Sequence, residues 1–514
     1  MLLICSVQAH ASQPEQATKI ASLMSALHER GQFNGAVLVA ERGNILYRGA
    51  FGKANFHANA DLTPETPFCL ASVTKQFTAM AIMMLAEQGK LGYDDPVSRY
   101  VREFSRAERL SRITVRQLLN HTSGIPDFGD LAVDDSALTP EGLIEVLLQK
   151  ESVFSSAGQK YRYSNPGYIL LAIVVERVSG QSFSDFLEER IFRPLGMSNT
   201  FVYDNPLKRN RQAATGYDQF GQEDDAQATA IPGDGGIYST VDDLFKWDQA
   251  LYTDKLIPQA ALAVAFTPGK VKEGTSTYGF GWNVGDKGGG KYVWHTGSTA
   301  GFRAFIERRL TDQVTVILLT NRGNSKRTEM NDAILNILGG RPYVMPKMSG
   351  AEKLYGVIHA SGSQGSEAQA SGIQAALQLY DSLKTNADYD LGESELNTLG
   401  YQLLYGDKRV GDAIAILKLN TTEHPLSSNA YDSLAEAYRK SGADDLAISN
   451  YQNAVMLDPS NLHAVAMLKE MGLQPRNRFV LWFLAACVGL LAIAAAYTIR
   501  GWRKNRRLRG RDAA

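Results

Sequence analysis

The sequence predicts an α/β fold with an antiparallel sheet flanked by helices and a helical insertion, followed by an all-α region and one transmembrane helix. Three observations indicate this. Strand patterns lie at both ends of residues 15–345, with helical patterns between them. Residues 373–475 contain a repeat with a period of 34 residues, and residues 479–499 carry no charge.

The composition is that of an ordinary globular protein. The chain has 514 residues, of which 44% are hydrophobic, and its 53 Lys and Arg nearly balance its 54 Asp and Glu. A disordered chain, a collagen-like repeat and polybasic nucleic-acid binding are poor descriptions of such a chain. The 3 cysteines lie far apart, which excludes a disulfide framework and a Cys-rich zinc site.

Residues 1–11 predict a truncated signal peptide. They combine a short apolar stretch with an Ala9-x-Ala11 end that is typical of a cleavage site, although no basic residue precedes the apolar stretch. The alternative is a frayed terminus that carries no signal.

Residues 15–345 predict one domain whose sheet is built from both of its ends. Apolar residues recur at helical spacing after Ser72, and Gly89 ends that helix. Four strand patterns form two hairpins, one near each end of the domain: 36–40, 45–47, 302–308 and 314–319.

Ser72 and Lys75 form a Ser-x-x-Lys motif at the start of this helix. Residues i and i+3 share one face of a helix, so Lys75 can reach the Ser72 hydroxyl. A helix start also favours an oxyanion, and a serine hydroxyl needs such help because it is a weak nucleophile at neutral pH. A serine at a helix start can equally be a simple cap.

Tyr163-Ser164-Asn165 precedes the next predicted helix. Asn165 and Pro166 fit the N-cap and the first position of that helix, which is the structural alternative for Asn165. Tyr163 then lies in the turn ahead of the helix, where it can meet a substrate. It could act as a base only if a cation such as Lys75 stabilised its phenolate.

His295-Thr296-Gly297 leads into Ser298 and, three residues later, a second glycine. The glycines allow a close backbone approach, as an edge strand beside a bound substrate requires. By itself, this motif also fits a turn before a strand.

In this order, the three motifs together resemble those of the serine β-lactamase and penicillin-binding family, and most closely its class C β-lactamase, DD-carboxypeptidase and esterase branch. Residues 118–126, 235–240 and 278–282 also resemble segments of that branch, so the resemblance covers about residues 15–340. It implies a β-lactamase/transpeptidase-like fold and a serine hydrolase that acts on an amide or ester bond. These additional segments are interpreted as turns and pocket walls, with His121, Asp127 and Asp234 as turn or loop residues.

The resemblance also implies a role for each motif residue. Ser72 would be the nucleophile that forms an acyl-enzyme, while Lys75 and Tyr163 would exchange its proton and later activate water. The backbone N–H groups of Ser72 and Ser298 would form the oxyanion hole. The implied substrate-binding and oxyanion residues are Asn165, His295, Thr296, Gly297 and Ser298. The mechanism needs no metal and no cofactor.

His295 departs from many members of that family, which carry Lys at this position. A Lys stays charged at pH 7 and attracts a carboxylate, whereas a His with an ordinary pKa of about 6.5 is mostly neutral. The His form resembles the DD-carboxypeptidase and esterase members, so efficient β-lactam hydrolysis is not expected. A substrate carboxylate remains compatible because Arg303 lies nearby in sequence.

The C-terminal part predicts a linker and then helical repeats. Residues 346–372 predict the linker because 360–372 are small and polar. Within residues 373–475, alanines and prolines recur 34 positions apart, and the second copy resembles the tetratricopeptide pattern. The repeats predict either partner binding or a packing module that holds the catalytic domain off a membrane.

Residues 479–499 predict a transmembrane helix, because 21 uncharged residues would form a helix roughly 31 Å long, about one hydrocarbon thickness. The basic residues within 500–514 predict a cytoplasmic tail. This topology places the catalytic domain outside the plasma (inner) membrane, in the periplasm or its equivalent, on a single-pass anchor. The alternatives are a buried soluble helix and a tail-anchored protein that faces the cytoplasm.

The sequence therefore predicts a membrane-anchored serine hydrolase of the peptidase, esterase or β-lactamase type. Its partners would be a small molecule or peptide with an amide or ester bond, the membrane and, through the repeats, another protein. Nucleic acid is not expected as a partner. The alternative is a β-lactamase-like binding or regulatory protein with little turnover that recruits its partner through the helical repeats.

Overall fold

The computed structural model describes residues 13–131, 138–154, 156–204, 212–223, 232–287, 290–360 and 366–473. The chain divides into two compact units, with the boundary between Pro346 and Lys347. The predicted signal peptide (1–11), transmembrane helix (479–499) and basic tail (500–514) lie outside the described residues. In the part of the chain that is described, no helix is long and apolar enough to cross a membrane.

The first unit contains both helices and strands. Its described α-helices are α1 (Gln13–Glu29), α2 (Lys75–Glu87), α3 (Glu108–Ser111), α4 (Val115–Leu119), α5 (Phe128–Leu131), α6 (Pro140–Gln149), α7 (Asn165–Ser179), α8 (Phe183–Leu187), α9 (Arg193–Leu195), α10 (Val241–Ala250), α11 (Gln259–Ala265) and α12 (Arg327–Leu338). Its described strands are β1 (Gly35–Glu41), β2 (Asn44–Phe51), β3 (Lys53–Asn55), β4 (Ala60–Asp61), β5 (Phe68–Cys69), β6 (Phe201–Val202), β7 (Ile237–Ser239), β8 (Asn283–Lys287), β9 (Gly290–Ser298), β10 (Arg303–Arg309) and β11 (Val314–Thr320). Short 3-10 turns cover Ala71–Thr74, Val97–Arg99 and Arg102–Arg106, and a π-helical turn covers Glu188–Phe192.

A six-stranded antiparallel sheet joins the two ends of this unit, in the order β2-β1-β11-β10-β9-β8. The N-terminal strand β1 pairs with β11 along its whole length, from Gly35 opposite Thr320 to Glu41 opposite Val314. The α/β prediction of an antiparallel sheet built from both ends, with helices inserted between them, is confirmed. Two short antiparallel arrangements, β5-β7-β6 and β3-β4, accompany the main sheet.

Both faces of the sheet are covered, which explains the nearly continuous apolar strands. In β1, Leu38 packs into the larger core with helices that include α2 and α7, whereas Val37 and Val39 pack into a second core with α1 and α12. Successive side chains point to opposite faces of a strand, so one apolar strand serves two cores. In β11, Ile317 and Leu318 alternate in the same way.

The second unit is largely helical. Its described α-helices are α13 (Gly350–Ala360), α14 (Ser366–Leu383), α15 (Glu393–Tyr401), α16 (Val410–Glu423), α17 (Ser428–Lys440), α18 (Asp444–Leu457) and α19 (Leu462–Glu470). Two short strands, β12 (Met348–Ser349) and β13 (Tyr389–Asp390), pair in parallel, and a π-helical turn covers Gln402–Gly406. Most successive helices pack against each other, and the repeating alanines Ala413 and Ala447 are fully buried.

The linker predicted for residues 346–372 is wrong over much of its length. Helix α13 occupies Gly350–Ala360, and α14 begins at Ser366. Ala351, Leu354 and Ile358 are buried at helical spacing, so this segment has an apolar face that packs in the second unit. The small polar composition of 360–372 does not exclude a helix start, because Ser, Ala, Gln and Glu are all compatible with a helix.

Candidate active site

The nucleophile candidate, Ser72, lies in a short 3-10 turn rather than in the first turn of an α-helix. The turn covers Ala71–Thr74 and runs into Lys75, the first residue of α2. Residues i and i+3 eclipse each other in a 3-10 helix, which directs Lys75 toward Ser72. Ala71 adopts a left-handed φ of 46°, which is strained for a residue with a side chain, at the bend between β5 and α2.

Lys75 is fully buried, and its ammonium group contacts three oxygen atoms. Its Nζ lies 3.1 Å from Ser72 Oγ, 2.7 Å from Asn165 Oδ1 and 2.9 Å from the backbone oxygen of Asp234. None of these acceptors is a carboxylate. Burial lowers the pKa of Lys75 to about 8, although the nearby carboxylates of Asp234 and Asp127 favour its charged form.

Asn165 reaches Lys75 because it is not the N-cap of α7. The cap is Ser164, whose Oγ accepts a hydrogen bond from the backbone N–H of Gly167 at 3.2 Å, so the N-cap prediction for Asn165 is wrong. As the first helical residue, Asn165 has a side chain that is not used for capping and accepts from Lys75. Its backbone N–H donates to Asp127 Oδ1 at 2.8 Å.

Tyr163 also contacts the Ser72 hydroxyl. The two side chains are hydrogen-bonded, and Lys75 Nζ lies 4.9 Å from the centre of the tyrosine ring. Burial raises the pKa of Tyr163 well above its ordinary value, which outweighs the opposite effect of the Ser72 hydrogen bond, and the Asp234 and Asp127 carboxylates raise it further. Tyr163 is therefore a neutral phenol at physiological pH, even with a cation beside it.

His295 is held in one tautomer by two hydrogen bonds. Its Nδ1 lies 2.7 Å from the backbone oxygen of Thr296, which can only accept, so Nδ1 carries the proton. Its Nε2 then accepts from the Tyr278 hydroxyl at 2.8 Å. Burial, together with the Lys75 charge, lowers the pKa of His295 to about 3, so the ring is neutral throughout the physiological range.

The strand that carries His295 comes very close to the turn that carries Ser72. A Cβ atom added to Gly297 would lie 2.0 Å from the backbone oxygen of Leu70, a separation that only glycine permits. On its outer side, β9 pairs with β8 only as far as Trp294. Within the described residues, no strand pairs with 295–298 on that side, so this half of β9 is an open edge, with Thr296 half-buried and Ser298 exposed.

Two arginines that form no ion pair with a described residue lie beside the end of β9. Arg327, the first residue of α12, donates from Nη2 to Ser298 Oγ at 2.8 Å, and Arg303 donates to the backbone oxygens of Thr299 and Phe302. Neither guanidinium forms an ion pair with a described residue, and Arg327 Nε is buried without a hydrogen-bond partner there. Burial lowers the pKa of Arg327 to about 10, and the Arg303 charge acts in the same direction.

The structure brings the predicted residues into one cluster. Ser72, Lys75, Tyr163 and Asn165 are linked by hydrogen bonds, and the ring centres of Tyr163 and His295 are 6.4 Å apart. Thr296, Gly297 and Ser298 continue along the same strand as His295.

Other residues of the site were not identified from the sequence. The backbone oxygen of Asp234, the carboxylate of Asp127 and the hydroxyl of Tyr278 all contact motif residues, although they had been assigned to loops and pocket walls. Arg327 gave no signal beyond its position after the last strand of the sheet. His121, interpreted as a turn residue, is 1% exposed and lies against the Tyr163 ring.

An activated serine that contacts a buried lysine and a tyrosine defines an acyl-transfer site, and comparison with known proteins agrees. A family model described as beta-lactamase matches residues 20–339. Over 360 residues, the chain is 37% identical to penicillin-binding protein 4* of Bacillus subtilis (strain 168), an alignment that covers 65% of this chain and 78% of that protein. It is 28% identical over 326 residues to a D-aminopeptidase of Brucella canis, covering 60% of each chain.

A solved structure is similar as well. The octameric penicillin-binding protein homologue from Pyrococcus abyssi superposes with a TM-score of 0.56 and 29% identity, over 63% of this chain and 77% of that one. The chain belongs to the beta-lactamase family. It is a serine hydrolase of the group that includes the penicillin-binding proteins.

Proposed function

We propose that this protein cleaves amide or ester bonds through an acyl-enzyme on Ser72. The environment of Lys75 is the observation that carries the proposal. Its amine is buried against three uncharged oxygen acceptors, and its pKa of about 8 leaves a neutral fraction near physiological pH. A neutral amine 3.1 Å from Ser72 Oγ can accept the hydroxyl proton, so Lys75 is the base.

The acylation step then follows from these contacts. Ser72 Oγ attacks the carbonyl carbon while its proton passes to Lys75 Nζ, and the carbonyl oxygen becomes an oxyanion that faces the backbone N–H groups of Ser72 and Ser298. As the bond to the leaving group breaks, the leaving nitrogen or oxygen takes a proton from the Tyr163 phenol. Lys75 then gives the proton that it took from Ser72 to the Tyr163 phenolate, so the serine proton ends on the leaving group. In deacylation the proton transfers run in the opposite direction. The same groups take a proton from water, which attacks the acyl carbonyl carbon, and the proton returns to Ser72 as the acyl group is released.

The open half of β9 supports an extended peptide as the substrate. On that side residues 295–298 have no strand partner among the described residues, so a peptide strand could lie along this edge, next to the nucleophile turn. One relative is named a D-aminopeptidase and others are named penicillin-binding proteins, so we propose a peptide or amide substrate for this site as well.

Arg303 and Arg327 support a substrate that carries a carboxylate on its leaving-group side. Neither of these partly buried guanidinium groups has a carboxylate partner among the described residues. The two charges repel each other, and an incoming anion would relieve that repulsion. Their hydrogen bonds reach Ser298 and Thr299, beyond the proposed oxyanion hole. We therefore propose peptides with a free C-terminal carboxylate, rather than peptide amides, as the preferred class.

The acyl-enzyme is tested by incubating the protein with benzylpenicillin and following its intact mass. We expect an adduct on the wild type and none on Ser72→Ala. Ser98→Ala is the matched control, because Ser98 also lies in a short 3-10 turn. This variant should still be acylated at Ser72. If benzylpenicillin does not react, p-nitrophenyl acetate and D-alanine p-nitroanilide are the next probes. A lack of Ser72-dependent reaction with all three contradicts the proposal and favours a binding protein with little turnover.

The carboxylate preference is tested by comparing one peptide with its C-terminal amide. Loss of a charge-assisted hydrogen bond costs about 1.5–3 kcal/mol, so Arg327→Gln should weaken kcat/KM about 10- to 100-fold for the free acid and much less for the amide. Arg177→Gln serves as the control, because it removes an arginine near the C-terminal end of α7 that pairs with Glu103. Equal losses on both substrates would overturn the carboxylate assignment.

We also propose that the chain is anchored in the plasma membrane by residues 479–499, with its catalytic domain outside and 500–514 in the cytoplasm. The uncharged run and the basic cluster that follows it support this topology. The paired helices of the second unit support a tetratricopeptide-like scaffold that binds a partner or acts as a spacer. Protease added to spheroplasts should digest the catalytic domain, and protection of that domain would contradict the topology.

A further inference from the structure

His121 occupies a backbone conformation that is uncommon for residues other than glycine. It follows the short helix α4 and adopts a left-handed φ of 56°. Gly and Asn adopt this conformation at a helix C-terminus with the least strain, whereas most other side chains make it unfavourable. The imidazole is nevertheless 1% exposed and lies inside the catalytic unit rather than in solvent.

His121 holds the chain on both sides of Tyr163. Its backbone oxygen accepts from the N–H of Arg162 at 2.9 Å, and its Nδ1 accepts from the N–H of Ser164 at 3.2 Å. The two residues that flank Tyr163 are thus both tied to His121. Since Ser164 also caps α7, this contact fixes where the Tyr163 segment ends and where the helix that carries Asn165 begins.

The imidazole ring also supports the Tyr163 ring directly. The two ring centres are 4.1 Å apart with an angle of 36° between the planes, closer than any other ring is to Tyr163. Tyr278 and Tyr168 pack against the same imidazole, at 4.5 and 5.0 Å. The ring therefore fills the space behind Tyr163, which leaves the phenol little freedom to move away from Ser72.

The charge state of His121 suits this role. An Nδ1 that accepts a hydrogen bond is unprotonated, so the ring is neutral with its proton on Nε2. Burial lowers the pKa of His121 well below its ordinary value, and the Lys75 charge acts in the same direction. The Nε2–H group has no hydrogen-bond partner among the described residues, so it does not act as a proton relay in this arrangement.

We propose that His121 is a positioning residue for Tyr163, which holds the phenol at Ser72 through the Ser164 N–H and through ring contact. The inference rests on the proposed acyl-enzyme function, in which Tyr163 passes the proton to the leaving group. His121 contacts neither the substrate nor the reacting atoms. A shift of the phenol by about 1 Å would slow acylation by about 100-fold, since proton transfer requires a hydrogen-bonded geometry.

The test is a double-mutant cycle between His121 and Tyr163. His121→Phe keeps a ring behind Tyr163 but cannot accept from Ser164, whereas His121→Asn suits the left-handed backbone but removes the ring. Acylation of the full chain is measured with benzylpenicillin, or with D-alanine p-nitroanilide if benzylpenicillin does not react, because the leaving nitrogen of both compounds needs a proton. The rate constant of acylation is separated from the binding constant, and the urea unfolding midpoint of each variant is recorded.

We expect each His121 variant to lower the acylation rate constant about 10- to 100-fold with little change in the binding constant. In the Tyr163→Phe background the same substitutions should lower the acylation rate constant by less than about 2-fold relative to Tyr163→Phe alone, because the effects of residues that act as a unit are not additive. With benzylpenicillin, which carries a carboxylate, the loss from Arg327→Gln should multiply with the loss from Tyr163→Phe, which shows that the cycle can detect independent effects.

The outcomes separate the two proposals. If His121 variants slow acylation by the same factor with or without the Tyr163 hydroxyl, or do not slow it at all, His121 is not the positioning residue for Tyr163 while the acyl-enzyme stands. If Ser72→Ala reacts like the wild type, the proposed function fails and this inference fails with it.

Discussion

Lys75 and Tyr163 contact the same serine hydroxyl, yet burial acts on them in different ways. It removes charge from both, which lowers the pKa of the lysine to about 8 and raises that of the tyrosine far above neutrality. Burial therefore brings only the pKa of the lysine close to physiological pH. The proton acceptor and the proton relay are thus distinguished by desolvation, although both were candidates from the motifs alone.

The pH dependence of acylation should report Lys75. Acylation needs the neutral amine, so kcat/KM should rise about 10-fold per pH unit below the lysine pKa, because the neutral fraction does so, and level off above it. The midpoint is expected at about pH 8. His295 should add no inflection above about pH 5, since its pKa is about 3. Measuring kcat/KM between about pH 6 and 9 checks this, and a flat profile would exclude Lys75 as the base.

Among the elements, β9 packs closely against the chain just before the nucleophile turn. Gly297 leaves no room for a side chain against Leu70, which immediately precedes the strained turn of Ser72. The strand edge and the nucleophile are therefore positioned by the same contact. A displacement of β9 would move the proposed oxyanion hole and the substrate strand together.

Gly297→Ala should accordingly impair catalysis. The added Cβ would meet a backbone oxygen at 2.0 Å, so β9 or the Ser72 turn must shift. We expect kcat/KM to fall at least about 100-fold, the scale associated with a misplaced reacting group. Gly129→Ala is the matched control, because a Cβ there meets nothing within 4 Å. Acylation kinetics of both variants check the prediction, and similar rates for the two would contradict it.

A buried ion pair joins α10 to β10. Arg308 and Asp248 are both 0% exposed and hydrogen-bonded to each other, and the guanidinium lies 4.4 Å from the ring centre of Tyr252. The pair is fully desolvated, so each charge depends on the other.

Arg308→Met should therefore lower the free energy of unfolding by about 3–5 kcal/mol, because it leaves the Asp248 carboxylate buried and unpaired. Arg177→Met, which removes a partly exposed pair with Glu103, should cost less than about 1 kcal/mol. Urea unfolding followed by tryptophan fluorescence measures both, since the described tryptophans, Trp247, Trp282 and Trp294, lie in the first unit. Equal losses of unfolding free energy in the two variants would contradict the conclusion that the buried charges of Arg308 and Asp248 depend on each other.

Across the molecule, the hydrolytic machinery is confined to the first of two units. The main sheet closes when β11 returns to pair with β1, and every residue of the proposed site lies before the boundary at Pro346. The second unit has its own buried helical core. Catalysis and the functions proposed for the C-terminal part are therefore carried by different stretches of chain.

A chain truncated after Pro346 should keep its kcat/KM toward small substrates within about 2-fold, because unit boundaries fall where few contacts cross. A chain truncated after Gly301 should not fold, since it lacks β10 and β11 and leaves one edge of β1 unpaired. Expression, urea unfolding and acylation of the two truncations check this. A large loss of activity in the longer one would show that the second unit takes part in catalysis.

The sequence was sufficient where a property depends on neighbouring residues. The three-residue spacing of Ser72 and Lys75, the hairpins at both ends of the first domain and the glycine two residues after His295 are local patterns, and helix and strand periodicity makes them readable. Local reading failed at finer detail. It assigned the N-cap to Asn165 instead of Ser164, and it missed α13 within the predicted linker.

Long-range packing alone determined which groups are desolvated and which charges meet. The pKa of Lys75, the neutral state of Tyr163 and the support that His121 gives it arise from segments far apart in the chain. The same is true of Arg327 beside Ser298. Desolvation and Coulomb interactions depend on distance in space, whereas motifs record distance along the chain. For that reason the chemistry of this site could be named from its residues, but the division of work among them required the fold.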